Sequence, residues 1–222
     1  MSYQGCIFDL DGTLANTLGS IAGFVNDTLA AFGLPPIPVE DYRYLVGNGA
    51  DLLMRRALAR VGAAFSEEEI RRFREEYARR YESDPLRGVT LYPGVKELLE
   101  ELHAKGCKLG VVSNKPDNVT RVIVETLFPG LLDQVHGQRA DVPKKPDPTA
   151  VLAMAKDFGL APREVLYVGD SGVDMDTGRN AGMDPCGVLW GFREEAELRE
   201  HGAAFLAPDA QALRRIALGS QP

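Results

Sequence analysis

The chain predicts an α/β protein in which a parallel-sheet core is interrupted early by an all-helical insertion. Three observations lead there. Gly5 to Leu10 is a short apolar run that breaks at Asp9-Leu10-Asp11-Gly12, as a strand does on entering a turn. Between Asn16 and Pro85 the apolar residues recur at helical spacing, with no alternating run. From Gly88 onward short apolar runs alternate with helix-patterned segments, the rhythm of a parallel sheet covered on both faces. Residues 1–15 and 86–222 are therefore assigned to the core and residues 16–85 to the insertion.

In the insertion, Ile21, Val25, Thr28, Leu29 and Phe32 form one helical stripe, which Gly33, Pro35 and Pro36 stop. Gly49 to Val61 reads as a second helix with Leu52, Leu53 and Leu58 among its apolar positions. Ser66-Glu67-Glu68-Glu69 is a capping box, and Ile70, Phe73, Tyr77 and Tyr81 are the stripe of the helix it opens. Glu67–Arg71, Glu68–Arg72, Glu75–Arg79 and Glu76–Arg80 are spaced as i,i+4 pairs in the favourable order. The arginine-rich face is thus a solvated helix surface rather than a phosphate site.

Beyond Gly88, Val95, Leu98, Leu99 and Leu102 mark a helix ending at Lys105-Gly106, before a strand over Lys108 to Val112. A helix carrying Val119, Val122, Ile123 and Leu127 leads to a short strand from Asp133 to His136. Asp147-Pro148 opens the next helix in the order helix starts favour. A strand over Val165 to Val168, a helix over Asp174 to Ala181 and strands at Pro185 to Leu189 and Ala203 to Leu206 complete the pattern.

Composition narrows the partners. Of 222 residues, 45% are hydrophobic and 26% charged, and the net charge is −7, which disfavours a nucleic-acid partner. An anionic small molecule then requires local positive charge or a metal. Cys6, Cys107 and Cys186 each lie in or beside an apolar run and read as buried, reduced thiols. With no secretory pattern and no run long enough to span a bilayer, the expectation is a cytoplasmic protein with no membrane partner. No seam in the sequence indicates an oligomeric state.

Three strand ends carry polar residues suited to phosphate chemistry: Asp9-Leu10-Asp11-Gly12-Thr13, Ser113-Asn114, and Gly169-Asp170-Ser171 with Asp174. Ligands of open α/β sheets bind at the carboxyl ends of strands, so these residues are expected to converge. Asp9 and Asp170 brought together would raise each other's pKa unless a cation lies between them, and Mg²⁺ takes carboxylates, carbonyls and phosphate oxygens as ligands. Lys145, in Lys144-Lys145-Pro146-Asp147-Pro148, adds a fixed positive charge.

These four segments, in this order, resemble the haloacid dehalogenase superfamily, and within it the phosphatases with an inserted helical cap. The resemblance covers essentially the whole chain. It implies a Rossmann-like core and Mg²⁺-dependent hydrolysis of a small phosphorylated metabolite. Asp9 would be the nucleophile and Asp11 the proton shuttle. Mg²⁺ would be held by Asp9, the Asp11 carbonyl and Asp170, with Asp174 and Thr13 supporting from behind. Ser113, Asn114 and Lys145 would take the phosphoryl group.

Asp11 is present, whereas members acting as dehalogenases lack it. Residues 16–85 contain no Lys and no His, which argues against phosphonate cleavage through a cap lysine and against a β-phosphoglucomutase-like cap. Val46-Gly47-Asn48-Gly49-Ala50-Asp51 looks like the cap loop of phosphoglycolate phosphatases. Its glycines open a helix whose free amides suit an anion. Gly47, Asn48 and Gly49 are therefore candidate specificity residues, with Arg43 as the nearest charged partner. Trp190-Gly191-Phe192-Arg193 also recurs in relatives of this subgroup, but it receives no role. A small phosphomonoester of the phosphoglycolate type is the expected substrate. A pyrophosphatase, a broad sugar phosphatase or a non-catalytic phosphate-binding regulator are the alternatives.

Overall fold

Six parallel strands form the centre of the molecule in the computed structural model, which describes residues 2–219. They are β1 (Gly5–Phe8), β4 (Lys108–Pro116), β5 (Gln134–Gln138), β6 (Val165–Gly169), β7 (Asp184–Val188) and β8 (Phe205–Ala207). Their spatial order is β5-β4-β1-β6-β7-β8. The order reverses beside β1: the chain builds outward through β4 and β5 on one side, then through β6, β7 and β8 on the other. A crevice opens at such a switch point, at the carboxyl ends of the strands.

Successive residues of a strand face opposite sides of the sheet. Cys6 and Phe8 accordingly join the larger apolar cluster, with Leu99 and Leu102 of α5 (Val95–Ala104) and Ile123 of α6 (Asp117–Leu127). Ile7 joins the smaller one, with Val151 and Met154 of α7 (Thr149–Asp157). Both faces of β1 are therefore covered, and all four of its residues are buried. Helices α8 (Gly172–Asn180), α9 (Glu195–Glu200) and α10 (Ala210–Leu218) complete the layers. The three cysteines are buried and free, as expected from their apolar surroundings. No described helix is long and apolar enough to cross a membrane.

Between β2 (Ala15–Asn16) and β3 (Thr90–Leu91) the chain is helical: α1 (Leu18–Ala31), α2 (Tyr42–Leu45), α3 (Ala50–Arg60) and α4 (Glu67–Ser83). β2 and β3 pair antiparallel, which stitches the way out of the sheet to the way back. The apolar stripes of α1 and α4 face each other, with Phe24 stacked on Tyr81 at 4.8 Å and Phe32 edge-on to Phe73 at 5.2 Å. The capping box forms: Glu69 N donates to Ser66 Oγ, and Ser66 N donates to Glu69 Oε2.

The expected ion pairs on α4 are only partly reproduced. Glu76–Arg80 forms, but Arg71 pairs with Glu68 and Glu75, Arg79 pairs with Glu76, and Glu67 reaches Arg55 on α3. Positions three and four apart are almost equally near on a helix, and a tertiary partner displaces either. These side chains remain on a solvated face.

Candidate active site

The first strand delivers Asp9 to the crevice. Asp9 N donates to Val168 O at 2.9 Å, extending the ladder one residue beyond β1. The chain then coils tightly: the amides of Thr13, Leu14 and Ala15 all point at Leu10 O. Gly12 makes this coil possible. Its φ is +83°, and a Cβ placed there would lie 2.1 Å from Asp170 Oδ2. Gly191 packs against the same residue: a Cβ there would lie 2.2 Å from the Cβ of Asp170.

Asp9, Asp170 and Asp174 each offer a carboxylate oxygen, and all three lie within 4.8 Å of one another. Burial raises Asp9 to about 6, helped by Asp174 and Asp11 and opposed by Lys145. Burial pushes Asp170 well above the usual carboxylate range, with Asp174 and Asp9 adding to it. Lys145 Nζ is 2.8 Å from Asp174 Oδ1 and 3.0 Å from Asp9 Oδ1. Burial opposes its charge, yet the two carboxylates raise its pKa well above the lysine value.

Lys145 alone does not offset three carboxylates. Asp9 Oδ1 is buried, and it contacts Lys145 Nζ at 3.0 Å, a group it shares with Asp174. Three clustered carboxylates with one shared lysine, two of them with raised pKa, fit a divalent cation. Asp174 differs, because its acceptors are occupied. Oδ1 takes Lys145 and Tyr167 OH, and Oδ2 takes the Ser171 amide and hydroxyl. Thr13 Oγ1 lies 3.5 Å from Asp170 Oδ1, and Phe192 N donates to Asp170 Oδ2 at 2.7 Å.

Asp9, Asp11, Ser113 and Asp170 line one cleft, closed over by Ile21, Leu53, Tyr77 and Tyr81 of the helical layer. Its free volume of about 60 Å³ has room for a few waters at roughly 10–15 Å³ each. Lys145, expected to take the phosphoryl group, does not line the cleft; its Nζ is engaged by Asp9 and Asp174. The Ser113 hydroxyl accepts from Lys115 N at 3.3 Å, which leaves its own hydrogen free to donate.

Two further expectations change on the geometry. Asn114 does not offer a free amide to phosphate: Nδ2 donates to Lys145 O and Gly47 O, and Oδ1 accepts from Lys145 N. It clamps the lysine segment and ties the core to the helical layer. Arg43 is exposed and off the cleft wall, whereas Arg193 lines it and donates to Val46 O at 3.1 Å. Gly47 and Gly49 line the cleft as expected, and Asn48 accepts from Arg56.

Sequence reasoning missed Lys115. Its Nζ lies 2.8 Å from Asp11 Oδ1 and 2.9 Å from Oδ2, and Thr17 Oγ1 donates to Oδ1 at 2.6 Å. Lys115 is buried, with Nζ 4.7 Å from the centre of the Tyr81 ring. A lysine directly after Ser113-Asn114 at a strand end is a signal that distinguishes it from surface lysines.

A buried carboxylate cluster, a second carboxylate on the same loop and a helical cover at the switch point of a parallel sheet together define a hydrolase of the haloacid dehalogenase type. The model of the haloacid dehalogenase-like hydrolase family matches residues 6–188, and the chain belongs to that family. Its similarity to particular members is closer still. A phosphoglycolate phosphatase of Haemophilus influenzae is 36% identical over 214 residues, covering 94% of this chain and 96% of that protein. One from Rhodospirillum rubrum is 36% identical over 203 residues, covering 86% and 82%. A crystal structure described as a predicted phosphoglycolate phosphatase of Haemophilus somnus superposes with a TM-score of 0.89 at 30% identity, covering 97% and 98%. A hydrolase from Pseudomonas syringae superposes at 0.77 with 27% identity, covering 95% of both chains. The chain is a hydrolase of this family, phosphoglycolate phosphatase-like over nearly its whole length.

Proposed function

We propose that the protein hydrolyses a small phosphomonoester of the phosphoglycolate type through a phosphoryl group carried on Asp9. The convergence of Asp9, Asp11 and Asp170 on one small covered cleft carries this reading. Asp9 attacks phosphorus, forming the Asp9 oxygen–phosphorus bond as the bond to the leaving oxygen breaks. Asp11 delivers a proton to that oxygen, then accepts one from the water that attacks phosphorus and releases Asp9. Asp9, the Asp11 carbonyl and Asp170 would hold Mg²⁺, which when bound neutralises charge on the phosphoryl oxygens. Ser113 donates to the phosphoryl group. Lys145, anchored by Asp174, holds Asp9 in line. Residues 16–85 act as a cap that excludes bulk water. Turnover assays on phosphoglycolate, pyrophosphate and sugar phosphates test the reading; it fails if phosphoglycolate is not among the best substrates.

Metal dependence has a thermal signature separate from turnover. In the metal-free protein Asp9 holds its proton up to about 6, above the unfolded value of 3.8. Its stabilising contribution is therefore present at acid pH and declines as pH rises between those values. A cation competes with that proton. Mg²⁺ added to EDTA-treated protein at pH 8, at a hundredfold excess over Kd, is expected to stabilise the fold by about 3 kcal/mol, and to raise Tm by less when the same concentration is added at pH 5. Turnover should vanish in EDTA. An equal Mg²⁺ shift at both pH values would contradict the assigned ligands.

The loop before α3 is expected to govern substrate choice. Gly49 has φ +87°, and a Cβ there would lie 3.2 Å from Lys144 Nζ and 3.5 Å from Asn114 O. Gly49→Val should strain the loop and displace the free amides that open α3. Hydrolysis of phosphoglycolate is expected to fall on the order of tenfold or more, the scale of one charge-assisted hydrogen bond. Hydrolysis of p-nitrophenyl phosphate should fall much less. Equal losses would assign the loop to folding or closure alone.

A further inference from the structure

We infer that Arg193 is the specificity-determining cation of the cleft, binding a carboxylate at the end of the substrate opposite the phosphoryl group. This rests on the phosphomonoester reading above.

The mount is rigid. Trp190 Nε1 donates to Thr13 O at 3.0 Å, and the neighbouring Phe192 amide holds Asp170. Glu197 on α9 lies 3.4 Å from Arg193 Nε, and the same oxygen accepts from Gly172 N at 2.9 Å where α8 begins. Arg193 thus leaves the sheet on a fixed turn and reaches toward the helical layer, where Nη2 donates to Val46 O. Its side chain is only 11% exposed and lines the cleft.

One arm of the guanidinium has nothing to do. Arg193 Nη1 is buried and has no acceptor. A buried, charged donor without a partner is costly, and a ligand oxygen supplied on binding removes that cost. The local field agrees. Arg56, whose Nη1 donates to Leu45 O and Asn48 Oδ1, has its pKa lowered by burial and then by the nearby charge of Arg193. Two guanidinium groups therefore flank the Leu45–Asn48 loop, and an anion between Arg193 and the free amides of α3 would relieve both.

The anion is a carboxylate because of position and size. Ser113 and the proposed metal ligands serve the phosphoryl end, and Arg193, whose charge is felt at Asp170, reaches from that side of the cleft to the cap loop at Val46. The cleft has a free volume of about 60 Å³, which suits a small substrate. A planar guanidinium matches a carboxylate better than an ammonium does. The Arg193 bond to Val46 also requires the helical layer to be closed. A carboxylate held there favours closure, and an uncharged substrate does not.

The test compares 2-phosphoglycolate with 2-hydroxyethyl phosphate, in which a hydroxymethyl group replaces the carboxylate. The wild-type enzyme should prefer phosphoglycolate in kcat/KM. Arg193→Met should reduce that preference on the order of 10–100-fold, chiefly through KM, and Arg193→Lys should retain part of it. Guanidinium ion in solution should restore part of the preference to Arg193→Ala. Equal losses on both substrates, or a preference untouched by Arg193→Met, would overturn the assignment and leave the phosphoglycolate reading intact. A wild-type enzyme that turns over phosphoglycolate well but does not prefer it to 2-hydroxyethyl phosphate would overturn the Arg193 assignment alone, and one for which phosphoglycolate is a poor substrate would overturn both. The wild-type measurement alone separates the two cases.

Discussion

Asp9→Asn is expected to abolish hydrolysis, with a loss on the order of 10⁴-fold or more, the scale for removing a nucleophile that acts as part of a unit. The substitution keeps the shape of the side chain and removes its nucleophilic oxygen. It also removes one of three carboxylates that lie within 4.8 Å of one another. Burial is the largest influence on Asp9 and disfavours its charge, so the neutral amide suits the unliganded fold. Lys145 keeps its partner Asp174 at 2.8 Å. The metal-free variant should therefore melt no lower than the metal-free wild type, while the Mg²⁺-dependent gain in Tm shrinks. Quenched reactions with ³²P-labelled substrate should give a protein-bound label with wild type and none with the variant. A labelled variant would place the nucleophile elsewhere.

Asp11→Asn is expected to fail differently. On the proposed mechanism Asp11 does not bond to phosphorus but moves a proton in each half of the reaction, so both halves should slow, by roughly 10²–10⁴-fold. Substrate binding should survive, because on the proposed mechanism this residue would offer a metal only its main-chain carbonyl, which the substitution leaves in place. The loss should be smallest with p-nitrophenyl phosphate, whose leaving group departs without help. Orientation adds a second signature. Thr17 and Lys115 hold both oxygens of Asp11, and the asparagine presents an NH₂ group to one of these two donors. Lys115 then loses its counter-ion in a buried site, which is destabilising. A lower Tm should accompany the kinetic loss, in contrast to Asp9→Asn. If the loss is the same for good and poor leaving groups, Asp11 is not the acid.

The difference between these two aspartates is only half visible in sequence. Both stand in the same five-residue run. Asp9 comes directly after the last residue of β1, so its place follows from local pattern alone. The surroundings of Asp11 are contributed by Lys115, 104 residues away, and Tyr81 beside it belongs to the helical layer.

By itself the sequence determined the layered α/β architecture, the helical stretch after the first strand and the strand ends that meet at the switch point. Each of those rests on local signals: the period of apolar residues, the capping box at Ser66, glycines at turns and polar residues closing apolar runs. Only the tertiary structure decided which charged side chains face the cleft. Arg43 and Arg193 look alike in sequence as arginines beside an aromatic segment, yet one is exposed and the other is half-buried against Val46. Asn114 reads as a phosphate donor until Gly47 and Lys145 arrive to take its amide. Long polar side chains choose among many partners of similar energy, so their choice is set by which distant surfaces come together. Apolar periodicity carries the fold because burial is non-directional and summed over many residues, whereas the site depends on single directed contacts that exist only once the helical layer has closed on the sheet.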